Sequence, residues 1–257
     1  MTNQPNQPGQ PPVTGHRMST DLTTPSCALA IGAHPDDVEF GCGGTLAKWA
    51  LAGTVIHHLV CTDGSKGTWD PTADIDRLRQ IREVEQRTAA GLLSGPRAGE
   101  VRFLRRIDGE LVNDAVTRAE VVRAIRELRP DVVLGHDPWK RYRLHPDHRA
   151  AGWLTCDAIV AARDPHFLPE MGLDHHRPAA LLLWEADQVN HIEDISTTIE
   201  IKLDALIAHS SQHETTLGAV DEAGIDRFRT RLRERHRDLG ADLGFAAAEC
   251  FARIDDL

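Results

Sequence analysis

Cysteine is sparse in this chain. Five occur in 257 residues, at positions 27, 42, 61, 156 and 250, and no two form a Cys-x-x-Cys pair. An odd, scattered set fits free thiols in a reducing compartment better than a disulfide framework or a Cys-type zinc site. No run of about 18 apolar residues is present, so no membrane-spanning helix is expected. The N-terminus lacks a basic stretch followed by an apolar core, so no secretory signal is expected either, and the expected location is cytoplasmic. Positive charge is in deficit: 29 Lys and Arg face 39 Asp and Glu, for a formal net charge of -10. Nucleic acids and anionic membranes want a basic surface, so neither is expected as a partner. Aromatics make up 5% of the chain, with a single tyrosine, Tyr142. The one glycine cluster, Gly41–Gly44 (GCGG), has the spacing of neither common nucleotide-binding loop. It is expected to form a tight turn.

Hydrophobic residues are 41% of the whole and charged residues 26%, as in a soluble globular protein of one sizeable domain. Residues 1–25 are rich in Pro, Gln, Asn and Thr. They bury too little to offset their ordering entropy and are expected to be a flexible tail, with the folded domain spanning 26–257. From Cys27 onward, strand and helix patterns alternate. Strands are predicted at Cys27–Ala33, Thr54–Cys61, Val101–Leu104, Val132–Gly135 and Ala180–Trp184. Helices are predicted at Thr45–Leu51, Ile75–Leu93, Ala115–Leu128 with Asp114 as N-cap, Asp147–Ala162 and, last, Ile195–Ala208. The run Arg227–Arg237 reads as an exposed helix face. This alternation implies an α/β fold with a mostly parallel sheet. The segment Arg163–Pro178 reads as a long loop, a place for function or for homo-oligomer contacts.

Two tripeptides are identical, His34-Pro35-Asp36 and His145-Pro146-Asp147, extended to HPDD and HPDH. Each follows a predicted strand. Ligands of open parallel sheets bind beyond the carboxyl ends of the strands, so the two motifs are expected to face each other there. Zinc takes His nitrogen and carboxylate oxygen, and a catalytic site keeps three protein ligands plus water. His34, Asp37 and His148 supply that set. Zinc acidifies its water to near neutrality. Asp36, beside the ligand Asp37, is placed to take the water's proton. His145 is a candidate to stabilise an oxyanion or to protonate a leaving amine, and Asp147 to orient His145.

The stretch Ala33–Leu46 (AHPDDVEFGCGGTL) resembles the signature of the PIG-L/LmbE-like N-deacetylases, and Leu144–Arg149 (LHPDHR) their second signature. The loop Thr62–Gly67, Arg82-x-x-Glu85, Asp108-Gly109-Glu110-Leu111 and His209-Ser210-Ser211-Gln212 add to the likeness, which runs from about Ala28 to Phe251. The resemblance implies a Rossmann-like three-layer fold and one zinc ion per chain on His34, Asp37 and His148. It implies Asp36 as general base, with His145 and Asp147 serving the oxyanion or leaving group. It further implies an N-acylated small-molecule substrate, such as an N-acetylglucosamine unit or a thiol or antibiotic conjugate.

Arg82 and Asp108 stand in motifs that hold sugar hydroxyls in relatives; Arg82 also has the spacing for a surface salt bridge with Glu85. Some relatives carry a tyrosine two residues before the second motif. Here Arg143 holds that place and Tyr142 precedes it, a displaced substrate-binding candidate. Lys66, Lys140, Arg141 and Arg143 keep a zinc phosphoesterase open as a second reaction class.

Overall fold

The computed structural model describes residues 18–257. An eight-stranded sheet runs through the molecule in the order β1-β7-β8-β6-β5-β2-β3-β4. The centre consists of β2 (Cys27–Gly32), β3 (Val55–Thr62), β4 (Ala98–Arg106), β5 (Val132–His136) and β6 (Ala180–Trp184), all parallel. Both faces of such strands are covered, so they read as unbroken apolar runs. In β2, Leu29 and Ile31 point to one core with α3 (Ala115–Leu128) and α4 (Pro146–Arg163). Ala28 and Ala30 point to the other, against α1 (Asp37–Leu51) and α2 (Ile75–Ser94), where Ala205 of α5 (Ile199–Ile207) also packs. The fold is therefore the three-layer, mostly parallel α/β architecture expected.

The far end of the sheet, beyond β6, goes beyond the sequence expectation. It comprises β1 (Ser19–Thr20), β7 (His191–Asp194) and β8 (Ala248–Ile254), of which β8 alone runs antiparallel to its neighbours β6 and β7 while β1 pairs parallel with β7; α5 and α6 (Glu222–Gly240) lie between β7 and β8. So α5 is not the last helix, and α6 carries the charged run outward. Residues 19–22, within the stretch expected to be tail, join the fold: Ser19 and Thr20 pair with β7, and the Leu22 N–H donates to Glu193. The remainder of that stretch up to residue 17 lies outside the described residues.

A second correction concerns Gly41–Gly44. They form no turn; they lie inside α1, which starts at Asp37 rather than Thr45. The reason is an ion pair inserted beside the helix. Glu249 of β8 accepts from the Gly44 N–H (3.0 Å), the Thr45 N–H (2.8 Å) and the Thr45 hydroxyl. Lys202 of α5 binds Glu249 at 2.5 Å and donates to the Phe40 carbonyl, which is Gly44's partner in an ideal ladder. Buried side chains thus satisfy backbone groups that glycines would leave weak. The glycines are there for close approach: a Cβ at Gly41 would sit 2.4 Å from the Trp184 ring, and one at Gly44 2.6 Å from Ile195.

Candidate metal centre and active site

The parallel sheet changes direction of winding between β2 and β5, which are neighbours. Such a switch opens a crevice at the strands' carboxyl ends. HPDD leaves β2 into α1 there, and HPDH leads from the β5 loop into α4. Pro146 occupies the first turn of α4, where its missing N–H costs nothing, and His145 caps the helix.

Three side chains with ligand-type atoms converge in the crevice. His34 Nδ1 lies 3.2 Å from Asp37 Oδ2 and 3.2 Å from His148 Nε2, and His148 Nε2 lies 3.3 Å from Asp37 Oδ1. Bonds of roughly 2.0–2.1 Å in a tetrahedral zinc site separate donors by about 3.4 Å, so this set fits such an ion. The far side of the His34 ring agrees. Nε2 sits 3.0 Å from Asp147 Oδ2 and 3.3 Å from Asp108 Oδ1, so its N–H donates to carboxylates and leaves Nδ1 free as a ligand. Burial opposes charge on His34, but Asp108, Asp147 and Asp37 outweigh it and raise its pKa well above the usual value. Burial likewise acts against the Asp37 carboxylate, yet His148 and His136 hold its pKa well down.

Asp147 does not orient His145, contrary to the sequence expectation. Its carboxylate instead supports His34 and accepts the Gly109 (2.6 Å) and Leu111 (3.1 Å) N–H groups, locking the Asp108 loop. The reason is geometric: His145 is the N-cap outside α4, and the carboxylate of Asp147, in its first turn, is taken up by His34, Gly109 and Leu111. Only the Asp147 backbone N–H reaches His145, at Nδ1 (3.3 Å). Neutral His145 therefore carries its proton on Nε2. Burial, His34 and His148 lower its pKa. Its ring stacks on His148, with centroids 4.7 Å apart.

Asp36 is buried and held at φ 103°, a strained backbone for a non-glycine residue. The Gln86 side chain fixes its N–H (2.9 Å), and Arg82 lies 3.4 Å from its carboxylate. Burial pushes the Asp36 carboxyl up to about 6; Arg82 opposes this and Asp37 adds to it. Arg82 makes no surface pair with Glu85. It is buried, donates to the carbonyls of Gly64 and Pro35, and leaves Glu85 to Ser210 and Ser211.

These groups floor a cleft of about 770 Å³, within the roughly 300–1,000 Å³ typical of small-molecule sites. Arg82, Asp108 and His145 line it together with the metal-ligand candidates. Tyr142 does not: it is 88% exposed at φ 59°, pointing to solvent. Nor does the Arg163–Pro178 loop, which lies at the opposite end of α4, wrapped around the buried Arg126 guanidinium. The residue that sequence reading missed is His136, at the C-terminal end of β5. Its Nε2 is 3.2 Å from Asp37 Oδ2, and burial drives its pKa down to about 4 against the pull of Asp37. Its position at a strand end beside the switch was the available signal.

Comparison with known proteins identifies the family of the chain. The family model described as PIG-L, GlcNAc-PI de-N-acetylase, matches residues 29–159, and the chain belongs to this family. It is 37% identical to the diacetylchitobiose deacetylase of Thermococcus kodakarensis over 187 residues, 72% of this chain and 69% of that protein. It is 34% identical to a 1D-myo-inositol 2-acetamido-2-deoxy-alpha-D-glucopyranoside deacetylase of Rhodococcus opacus, over 64% of this chain and 63% of that protein. Among solved structures, N,N'-diacetylchitobiose deacetylase from Pyrococcus horikoshii superimposes with a TM-score of 0.80 at 28% identity, covering 90% of this chain and 84% of that one.

Proposed function

We propose that this protein is a zinc-dependent hydrolase that removes an acetyl group from the amide nitrogen of an N-acetylglucosamine-type sugar or a related small conjugate. The observation that carries the reading is the convergence of His34 Nδ1, Asp37 and His148 Nε2 beside a carboxylate, Asp36, that is not part of that triangle. The relatives named above act, by their names, on N-acetylated amino sugars.

Zinc bound there supplies a Lewis acid that makes water nucleophilic near neutral pH. Asp36 accepts the water's proton as oxygen attacks the amide carbonyl. His145, neutral and with its proton on Nε2, donates to the oxygen that gains charge. Asp36 then passes its proton to the departing nitrogen as the C–N bond breaks, so amine and acetic acid leave, the acid giving up its remaining proton to solvent or to the amine, and the Asp36 carboxylate is restored. Arg82 holds Asp36 in place, and Asp108 offers a carboxylate oxygen to a sugar hydroxyl. The phosphoesterase alternative needs free cations at the metal. Of the candidate cations, Arg143 is engaged with His136 and Glu185, and Lys66 and Lys140, which line the cleft, reach Glu110 and the Ala186 carbonyl.

The test is a panel of N-acetyl sugars scored for released amine, with a phosphoester beside them, using protein assayed for zinc. Amine release with about one zinc per chain is expected. Phosphate release without amine would overturn the reaction class. Asp36→Ala should keep zinc and lose about 10²–10⁴-fold in kcat.

A further inference from the structure

We propose that His136 is a positioning residue for the metal centre, and that Trp184 and Arg143 set its tautomer. The inference rests on reading His34, Asp37 and His148 as the metal ligands.

His136 is completely enclosed at the end of β5. Its Nδ1 receives two donors, the Trp184 indole N–H at 3.0 Å and an Arg143 guanidinium N–H at 2.9 Å. Neither donor can accept a hydrogen bond in return. A proton on Nδ1 would therefore meet two others, so the ring proton sits on Nε2. From there it donates to Asp37 Oδ2 at 3.2 Å. The Ala33 N–H also approaches Nε2, at 3.4 Å. That single longer contact is left unreciprocated by the same tautomer, against two shorter ones in the alternative.

The consequence is decisive between two roles. Asp37, His136 and His148 lie close enough together to be mistaken for a second ligand set. A metal on Nε2 with two donors on Nδ1 would require an imidazolate. His136 is thus excluded as a ligand and left as a hydrogen-bond donor to one. It also lies flat against His148, with ring centroids 4.4 Å apart at 19°. One ring thus restrains two ligands, Asp37 by its N–H and His148 by its face. Supporting groups of this kind are typically worth about 10–100-fold in metal affinity.

The locks reach outward. Arg143 spans from His136 to Glu185 at 2.9 Å on the cleft wall. Trp184 reaches Nδ1 only because Gly41 has no side chain to block its ring.

The experiment measures zinc affinity by competition with a chromophoric chelator, and the visible spectrum of the cobalt(II)-substituted protein, for His136→Leu, His136→Gln, Trp184→Phe and Arg143→Met. The Gln amide places an N–H near the original Nε2. Expected are a loss of zinc affinity of about 10–100-fold in His136→Leu, most of it recovered in His136→Gln, and smaller losses in Trp184→Phe and Arg143→Met. The cobalt spectrum should keep the same coordination signature throughout. Unchanged affinity in His136→Leu overturns the proposal. So does a changed cobalt coordination signature shared by His136→Leu and His136→Gln, which would make His136 a ligand. If His136→Leu does not fold, the two lock variants decide: affinity equal to wild type in both overturns it. Wild-type protein that binds no zinc would defeat the metal-site reading itself, an outcome distinct from all of these.

Discussion

Asp36 is held in a left-handed backbone conformation between a proline and a metal-ligand candidate, and its N–H is pinned by Gln86. Strain of this kind costs on the order of 1–3 kcal/mol. Asp36→Gly should therefore stabilise the fold while lowering kcat by about 10²–10⁴-fold, a combination readable from urea midpoints beside a deacetylation assay. Gln86 also donates to Glu39 at 2.7 Å, and Glu39 lies 3.5 Å from His209 Nε2 in a fully buried pair. Burial opposes charge on His209, but Glu39 and then Asp36 outweigh it, so its pKa is raised. The protonated form is favoured in the native state. The resulting stabilisation is complete below the unfolded value of about 6.5. It is lost as pH rises through the higher native value, because the unfolded chain has by then released its proton. Unfolding midpoints of zinc-loaded protein should fall between neutral and mildly alkaline pH. The difference from His209→Gln should shrink over the same range; a difference independent of pH would show that His209 carries no such charge.

The fate of the glycines in α1 shows where elements become illegible. Reading a helix start at Thr45 is chemically sensible, since the Gly44 and Thr45 N–H groups are indeed capped. The cap comes from Glu249, at the far end of the chain, and no local pattern announces it. Two glycine-to-alanine changes should have opposite signs. Gly91 lies exposed in α2, with nothing within 4 Å of the place an added methyl would take. Gly91→Ala should stabilise by about 0.5–1 kcal/mol. Gly41→Ala drives a methyl into the Trp184 ring and should destabilise by about 1–3 kcal/mol. Lys202→Met leaves Glu249 buried without its cation and should cost about 3–5 kcal/mol. Adding Glu249→Gln should return part of that. Chemical denaturation of the single and double variants beside wild type checks the cycle.

For the molecule as a whole, the central parallel strands and the paired HPDD and HPDH motifs were readable because they are local: apolar runs, strand-end turns and repeated tripeptides. The end that carries β1, β7 and β8 was not. Strands β7 and β8 are short or carry polar residues whose partners, such as His191 with Glu193 and Glu249 with Lys202, lie within the folded interior. The same holds for His136, whose role depends on contacts from β6 and the β5 loop. Zinc that binds only the native chain raises its stability with concentration, by about 2.7 kcal/mol at a hundredfold excess over Kd. Thermal midpoints should climb with added zinc and drop with a chelator, and Asp37→Ala should remove most of that dependence.

The metal-ligand candidates come from chain positions 34–37 and 148, brought together only when β2 and β5 lie side by side. Neither segment holds three donors alone. On the proposed zinc site, capture of the ion would be a timer for long-range assembly: during refolding, tight uptake would wait until that central pairing has formed. In a stopped-flow experiment with a zinc indicator, the ion should leave solution no earlier than the tryptophan signal of Trp184 reports burial.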